Sequence, residues 1–242
     1  MLAHRIIPTL LCRGRQLVKG VAFDSWRSVG VVAQAVRIHQ SRGVDELVLL
    51  DIGATPDQRG PDLALVRELA DECFMPLAVG GGVRSLDDAQ ALLDAGADKV
   101  VVGTHTQAIQ QIAHTMGSQA VVASIDVRGG EVVVACGTRP TGTTPVDWAK
   151  RCEELGAGEI LLTSVDREGT LTGYDLDLIH AVADAVSIPV VAAGGCGSYA
   201  HMVQAIAAGA CGVACGALFQ FTDATPAGAA QYLAGEGVCV RV

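Results

Sequence analysis

The sequence is poor in aromatic residues: two Trp, three Tyr and four Phe make up 4% of its 242 positions. A core of this length must therefore be built from Val, Leu, Ile and Ala, a composition suited to parallel strands buried on both faces. Positive charge is also short. Seventeen Lys and Arg stand against 26 Asp and Glu, a net charge of −9, which argues against a broad electrostatic surface for nucleic acid or anionic lipid. Any phosphate would have to be held by local backbone geometry. No apolar run approaches the roughly 20 residues that span a bilayer, and the short N-terminal run contains Pro8, unlike a secretory leader. Eight cysteines occur without a C-x-x-C pair. Cys136, Cys211 and Cys215 read as lying inside apolar strands. The Cys211/Cys215 spacing could suggest a metal site, but small core residues of a reducing compartment fit better. The six histidines (His4, His39, His105, His114, His180, His201) show no ligand spacing. The expectation is a soluble, cytoplasmic protein without metal or cofactor, not directed at membrane or nucleic acid.

What is present is alternation. Short runs of Val, Ile, Leu and Ala near 5–11, 46–52, 77–80, 99–103, 120–126, 159–163, 190–193 and 212–215 are bounded by Gly, Pro or Asp and read as strands. Between them lie amphipathic stretches with start signals such as Ser85-Leu86-Asp87-Asp88 and Asp175-Leu176-Asp177, several ending in Gly (Gly43, Gly96, Gly156, Gly209). Eight such units without a linker predict a single (β/α)8 TIM barrel over 1–242, with an open doubly wound sheet as the alternative. An internal repeat favours closure. Shifted by about 113 residues, Met75–Gly82 lies over Ile188–Gly195, Ser85 over Ser198 and Gly103 over Gly216, giving half-barrels of about 1–117 and 118–242. With a small adjustment Arg5–Gly14 lies over Ala120–Gly129, and Asp126 then has Leu11 as its counterpart.

In a closed barrel the working face lies at the C-terminal ends of the strands. Gly81–Gly82 and Gly194–Gly195 follow strands there, and Gly103-Thr104 and Gly216-Ala217 complete each pair. Glycines before a helix let backbone N–H groups approach an anion closely; they could also simply make tight turns. Two symmetric cradles imply a ligand with a phosphate at each end. Asp126 ends an apolar strand and could serve as a general acid or base, or as a loop anchor; Leu11 can transfer no proton. At the opposite ends, Arg5, Glu46, Lys99 and Glu159 begin strands and could close into a ring, either a self-neutralising plug or a gate for something small. The segment 13–30 reads as a long mobile lid, whose Lys19 could meet a substrate anion or remain solvated. Val132–Ala135 looks like a small hairpin arm.

Several stretches together resemble the HisF family, the cyclase subunit of imidazole glycerol phosphate synthase. They are Met1–Ile7, Leu17–Gly20, Val44–Leu47, Gly80–Gly82, Gly96–Val100, Gly117–Val122, Gly156–Ser164, Asp166–Thr170 and Gly173–Asp175, spread over essentially the whole chain. The resemblance implies a glutaminase partner docked beneath the barrel and ammonia passing upward through it. Arg5, Glu46, Lys99 and Glu159 match the family's gate and Asp98 its partner-facing aspartate; Lys19 is a catalytic candidate beside Asp126, and Gly169 a phosphate-binding one. The family closes an imidazole ring on a bis-phosphate ribotide with two aspartates. Asp126 matches one; Leu11 replaces the other. Gly103 stands for an asparagine, Ala217 for a serine and Glu168 for an aspartate. Departures thus gather at the cyclase site while the gate is kept. That pattern, with Ile7-Pro8-Thr9-Leu10-Leu11, resembles paralogues of surface-polysaccharide clusters, which imply ammonia supply to an enzyme converting a sugar acetamido to an acetamidino group. An authentic cyclase and a non-enzymatic scaffold are the competing expectations.

Overall fold

The computed structural model describes residues 3–242; Met1 and Leu2, which open the first of the stretches just named, lie outside them. In chain order the elements are β1 (Arg5–Arg13), β2 (Gln16–Val21), β3 (Asp24–Val31), α1 (Val32–Ser41), β4 (Leu47–Asp51), α2 (Leu63–Ala70), β5 (Leu77–Gly80), α3 (Leu86–Asp94), β6 (Lys99–Val102), α4 (Ala108–Met116), β7 (Val121–Arg128) and β8 (Glu131–Val134). There follow β9 (Arg139–Pro140), α5 (Pro145–Glu154), β10 (Glu159–Ser164), α6 (Leu176–Ala183), β11 (Val190–Ala193), α7 (Tyr199–Ala207), β12 (Gly212–Cys215), α8 (Ala217–Phe221) and α9 (Pro226–Gly235). Eight strands pair in parallel in the order β1-β4-β5-β6-β7-β10-β11-β12, and β12 returns to β1 with Arg5 opposite Gly212. The sheet is closed: a (β/α)8 barrel, as the alternation predicts.

The strands alternate between two packing surfaces. Outward residues such as Ile6, Leu10, Leu47, Leu49 and Val100 join the large core beneath the helices. Inward residues build the barrel's interior in layers. The middle of the interior takes one residue from each strand into a single apolar cluster, Ile7, Val48, Ala78, Val101, Val122, Leu161, Val191 and Ala214, all essentially inaccessible to solvent. Arg5, Glu46, Lys99 and Glu159 lie two residues below it; Thr9, Leu50, Ser124 and Thr163 lie two above. Helix starts repeat with the strands. Asp62 and Asp175 cap α2 and α6 by accepting from Leu65 N and Leu178 N, and Ser85 and Ser198 cap α3 and α7 in the same manner.

Two antiparallel arms stand on the mouth. Residues 13–30 are not the long loop that their glycines suggest: β1 runs on through Cys12 and Arg13 and folds back as the β2–β3 hairpin. The second arm is the expected hairpin, β8 pairing with both β7 and β9. Arg128 ties the two together, donating from Nη1 to Gly137 O (2.6 Å) and from Nη2 to Ala22 O (3.0 Å). The tip of the first arm is also fixed to the loop after β10, through Ala22 N to Glu168 O (2.9 Å). Gly169 has no room for a side chain there, because its Cα faces the carbonyl oxygen of Gly20 at a φ of 76°.

The cysteines do not share one environment. Cys215 is buried in β12, but Cys211 precedes that strand and is exposed, and Cys136 lies in the turn after β8. The reading of Cys136 and Cys211 as strand residues is therefore corrected: Cys136 lies in a turn, and Cys211 enters β12 from outside it, its N–H donating to Val190 O (2.8 Å). All eight are free thiols.

Candidate functional site

The mouth of the barrel holds a cavity of about 380 Å³ under the two arms, within the usual range for small-molecule sites. Its wall includes Leu11, Lys19, Gly81, Gly82, Gly103, Thr104, Asp126, Gly194 and Gly216. Gly169, Gly195 and Ala217 do not line it. Gly195 packs instead on the loop before α6, where a Cβ would strike Gly173 O, and Gly82 packs on the equivalent loop before α2, 2.7 Å from Arg59 O at that position. Tight packing of neighbouring backbone thus accounts for part of the glycine content. It does not account for their amides. The N–H groups of Gly82, Gly103, Gly195 and Gly216 meet no acceptor among the described residues, an arrangement suited to anions. Thr104 is partly committed, its hydroxyl accepting from Ala135 N (3.1 Å) in the second arm.

Asp126 projects from β7 into the cavity, in register with Thr163 of β10. Burial pushes its carboxyl up to about 7; the Thr163 hydroxyl and Arg128 oppose that rise, while the Glu168 charge reinforces it. A carboxyl titrating near neutrality can both give and take a proton. Leu11 occupies the matching place on β1, buried, in register with Leu50 of β4.

Lys19 is only 2% exposed although it belongs to an arm. The β2–β3 hairpin folds it inward until Nζ sits against Gly216, in the space a Cβ there would fill, with Glu168 Oε1 3.6 Å away. Sequence reasoning assigned this lysine to a lid but could not place it over a glycine cradle. Asp51 was legible only as another strand-end carboxylate. It is 8% exposed and fully engaged: Arg59 Nη2 donates to Oδ2 (2.6 Å) and Gly53 N to Oδ1 (3.0 Å). Sequence reasoning missed Arg13, Phe23, Trp26 and Thr163, all of which line the cavity. Cys136 lines it too, but burial pushes its thiol up to about 11, leaving little thiolate.

At the opposite end Arg5, Glu46, Lys99 and Glu159 form a closed alternating ring. Arg5 Nη1 donates to Glu46 Oε2 (2.6 Å) and Nη2 to Glu159 Oε1; Lys99 Nζ reaches Glu46 Oε1 (2.8 Å) and Glu159 Oε2 (2.8 Å). Burial pushes the Glu159 carboxyl upward, but the hydrogen bonds and charges of Arg5 and Lys99 outweigh it and hold it below the usual carboxylate range. The same pairs raise Arg5 against the opposing effect of its burial. Asp98, beside the ring, is exposed, and its Oδ2 accepts from Leu77 N (2.8 Å), anchoring the start of β5.

Among the described residues no group of three His, Cys, Asp or Glu side chains could hold a metal ion, and no helix is long and apolar enough to cross a membrane. The model of one family, described as histidine biosynthesis protein, matches residues 5–225, every barrel strand included. With a closed eight-stranded barrel and a cavity at the C-terminal ends of its strands, the chain belongs to that histidine biosynthesis protein family, a TIM-barrel enzyme of the HisA/HisF type.

Proposed function

We propose that this barrel is the synthase subunit of a glutamine-dependent amidotransferase, taking ammonia from a glutaminase docked at the end that carries Arg5, Glu46, Lys99 and Glu159. The observation that carries the reading is the ring itself. Two buried carboxylates and two half-buried cations close the barrel floor, directly beneath an apolar layer through which only a small neutral molecule would pass readily. A buried ion-pair ring is a poor device for stability alone, because desolvation offsets most of its Coulomb attraction. As a gate it is effective: breaking one pair opens the floor, and the remaining charges restore it. Asp98, exposed beside the ring, is the proposed contact to the glutaminase.

The cavity is the proposed phosphate-ligand site, with cradles at Gly81, Gly82, Gly103 and Thr104 and at Gly194 and Gly216, Gly195 and Ala217 standing behind the second as backbone next to its wall; Gly169 holds the arm that brings Lys19 to that cradle. Because Leu11 removes one of two proton-transfer groups, the reading extends to a paralogue whose ammonia serves amidation of a sugar in polysaccharide synthesis. Reconstitution tests the gate. With a glutaminase of this type, Arg5→Ala or Glu159→Gln should depress glutamine-dependent synthesis and leave synthesis from ammonium salts intact. Failure of the barrel to bind or stimulate any such glutaminase would overturn the reading.

A second reading, an authentic cyclase, is favoured by one observation: Asp126, with its carboxyl near 7, shares the cavity with Lys19. It predicts turnover of the bis-phosphate ribotide with ammonium salts at enzymatic rates. Loss of a positioned acid or base costs about 10²–10⁴-fold, so only turnover well above that residue would support it.

A further inference from the structure

The chain has nine aromatic residues, and two of them, Phe23 and Trp26, are spent on the cavity wall instead of the core. Both belong to the β2–β3 arm. The turn of that arm is a two-residue loop, Ala22-Phe23, between the paired residues Val21 and Asp24. Both loop residues have positive φ, 49° and 61°, the pattern of a type I′ hairpin that favours Asn-Gly. A phenylalanine there costs about 1–2 kcal/mol, and such strain collects at ligand clamps. The ring is nonetheless held in place, packed 6.2 Å from the Trp26 ring and against Gly137. The indole also carries Arg13, whose guanidinium lies 5.8 Å from the ring centre and makes no ion pair among the described residues. An apolar cover could be made from any aliphatic residue. An indole braced by a second ring and polarised by an unneutralised cation is suited to stacking.

We propose that Trp26 is the specificity face of this site: a flat, π-bearing part of the phosphorylated ligand stacks on its indole, with Phe23 and Arg13 holding that ring in place. The inference rests on the glycine cradles as anion sites, taken from the reading above, and is independent of the glutaminase and of any chemistry at Asp126.

Two probes that share a phosphate and a ribose separate the two claims: ribose 5-phosphate and adenosine 5′-monophosphate, titrated calorimetrically. Ribose 5-phosphate tests the cradles; the increment for the nucleotide tests the indole. The wild-type protein should bind the nucleotide about tenfold more tightly, in line with base stacking on an aromatic side chain. Trp26→Ala should erase that increment while leaving ribose 5-phosphate affinity unchanged. Trp26→Leu, which keeps an apolar cover over the mouth, should lose the increment as well, and Trp26→Phe should retain most of it. Equal affinities in the wild type, or a Trp26→Leu protein that keeps the increment, overturn the stacking face. If neither probe binds, the cradles fail and the proposal fails with them. A Trp26→Ala protein that weakens both probes equally would show that the indole merely closes the cavity.

Discussion

Leu11 and Leu50 stand side by side in register on β1 and β4, the same relationship that Asp126 and Thr163 have on β7 and β10. The two halves of the barrel thus differ at a pair of neighbouring positions. In one half of the barrel a carboxyl has a hydroxyl beside it that opposes the effect of burial; in the other, two leucines make an apolar wall. At this level the mouth is one-sided in proton-transfer groups, and the apolar side is internally consistent.

Introducing a carboxylate at Leu11 alone should consequently fail. Leu11→Asp places a charge beside Leu50 at a buried position and should cost about 3 kcal/mol or more in urea unfolding. Adding Leu50→Thr supplies the hydroxyl that Asp126 enjoys. The pair should recover about 1 kcal/mol relative to the sum of the single changes, the coupling expected of neighbours in contact. Additivity would mean that the register carries no energetic link. Any gain in cyclase rate should appear only in the double variant.

The same burial makes Asp126 a pH-dependent burden. Its folded-state value of about 7 lies above the unfolded carboxylate range near 4. The fold thus favours the protonated form, so this group's contribution is most favourable below about pH 4, declines as pH rises from about 4 to 7, and is constant above. Asp126→Asn removes the titration. The variant should match the wild type near pH 4 and exceed it by about 2–4 kcal/mol at pH 8, measured by denaturant unfolding at both values. A constant offset across that interval would place the carboxyl in water.

Much of this was legible in the sequence because buried parallel strands are locally explicit. Leu77–Gly80, Val190–Ala193 and Gly212–Cys215 read as continuous apolar runs and are strands with those limits. The ring charges were visible since Arg5, Lys99 and Glu159 each open a strand. The arms were not. Gly14, Gly20 and Gly30 made residues 13–30 look like a loop, and the Ala22-Phe23 turn lacks the Asn-Gly signal by which a hairpin is recognised. Asp51 and Asp126 look alike as strand-end aspartates. Only the fold brings Arg59 onto the first and leaves the second facing a cavity. Trp26 carries no local signal at all, because its role depends on a hairpin folding back over the mouth.

Arg128 provides a direct test of how the arms are held. Its guanidinium is the donor to both Ala22 O and Gly137 O, so one side chain bridges tips 115 residues apart (137 − 22). Arg128→Ala should leave the barrel intact and raise amide hydrogen exchange at least tenfold in residues 16–31 and 131–140, with no change in β4 to β6. Unchanged exchange in both arms would assign their closure to the remaining ties, Ala22 N to Glu168 O in the first arm and Ala135 N to the Thr104 hydroxyl in the second.

The ring makes the sharpest prediction for stability. Arg5→Ala leaves Glu46 and Glu159, both under a tenth exposed, to share the single ammonium of Lys99. Breaking a buried ion pair by removing one partner costs about 3–5 kcal/mol, so the variant should lose about 3 kcal/mol in urea unfolding at pH 7. The loss must depend on pH. In the wild type the Glu159 carboxyl is held below its ordinary value, so it stabilises the fold above the unfolded carboxylate pKa of about 4 and ceases to do so as pH falls through the depressed value. Arg5→Ala has already forfeited most of that contribution. The two proteins should therefore converge in acid, the gap narrowing as pH is brought from 7 to 3. A gap of equal size at both pH values would mean that Arg5 stabilises the floor by packing its methylenes, and the ring would then lose its standing as a charge-operated gate.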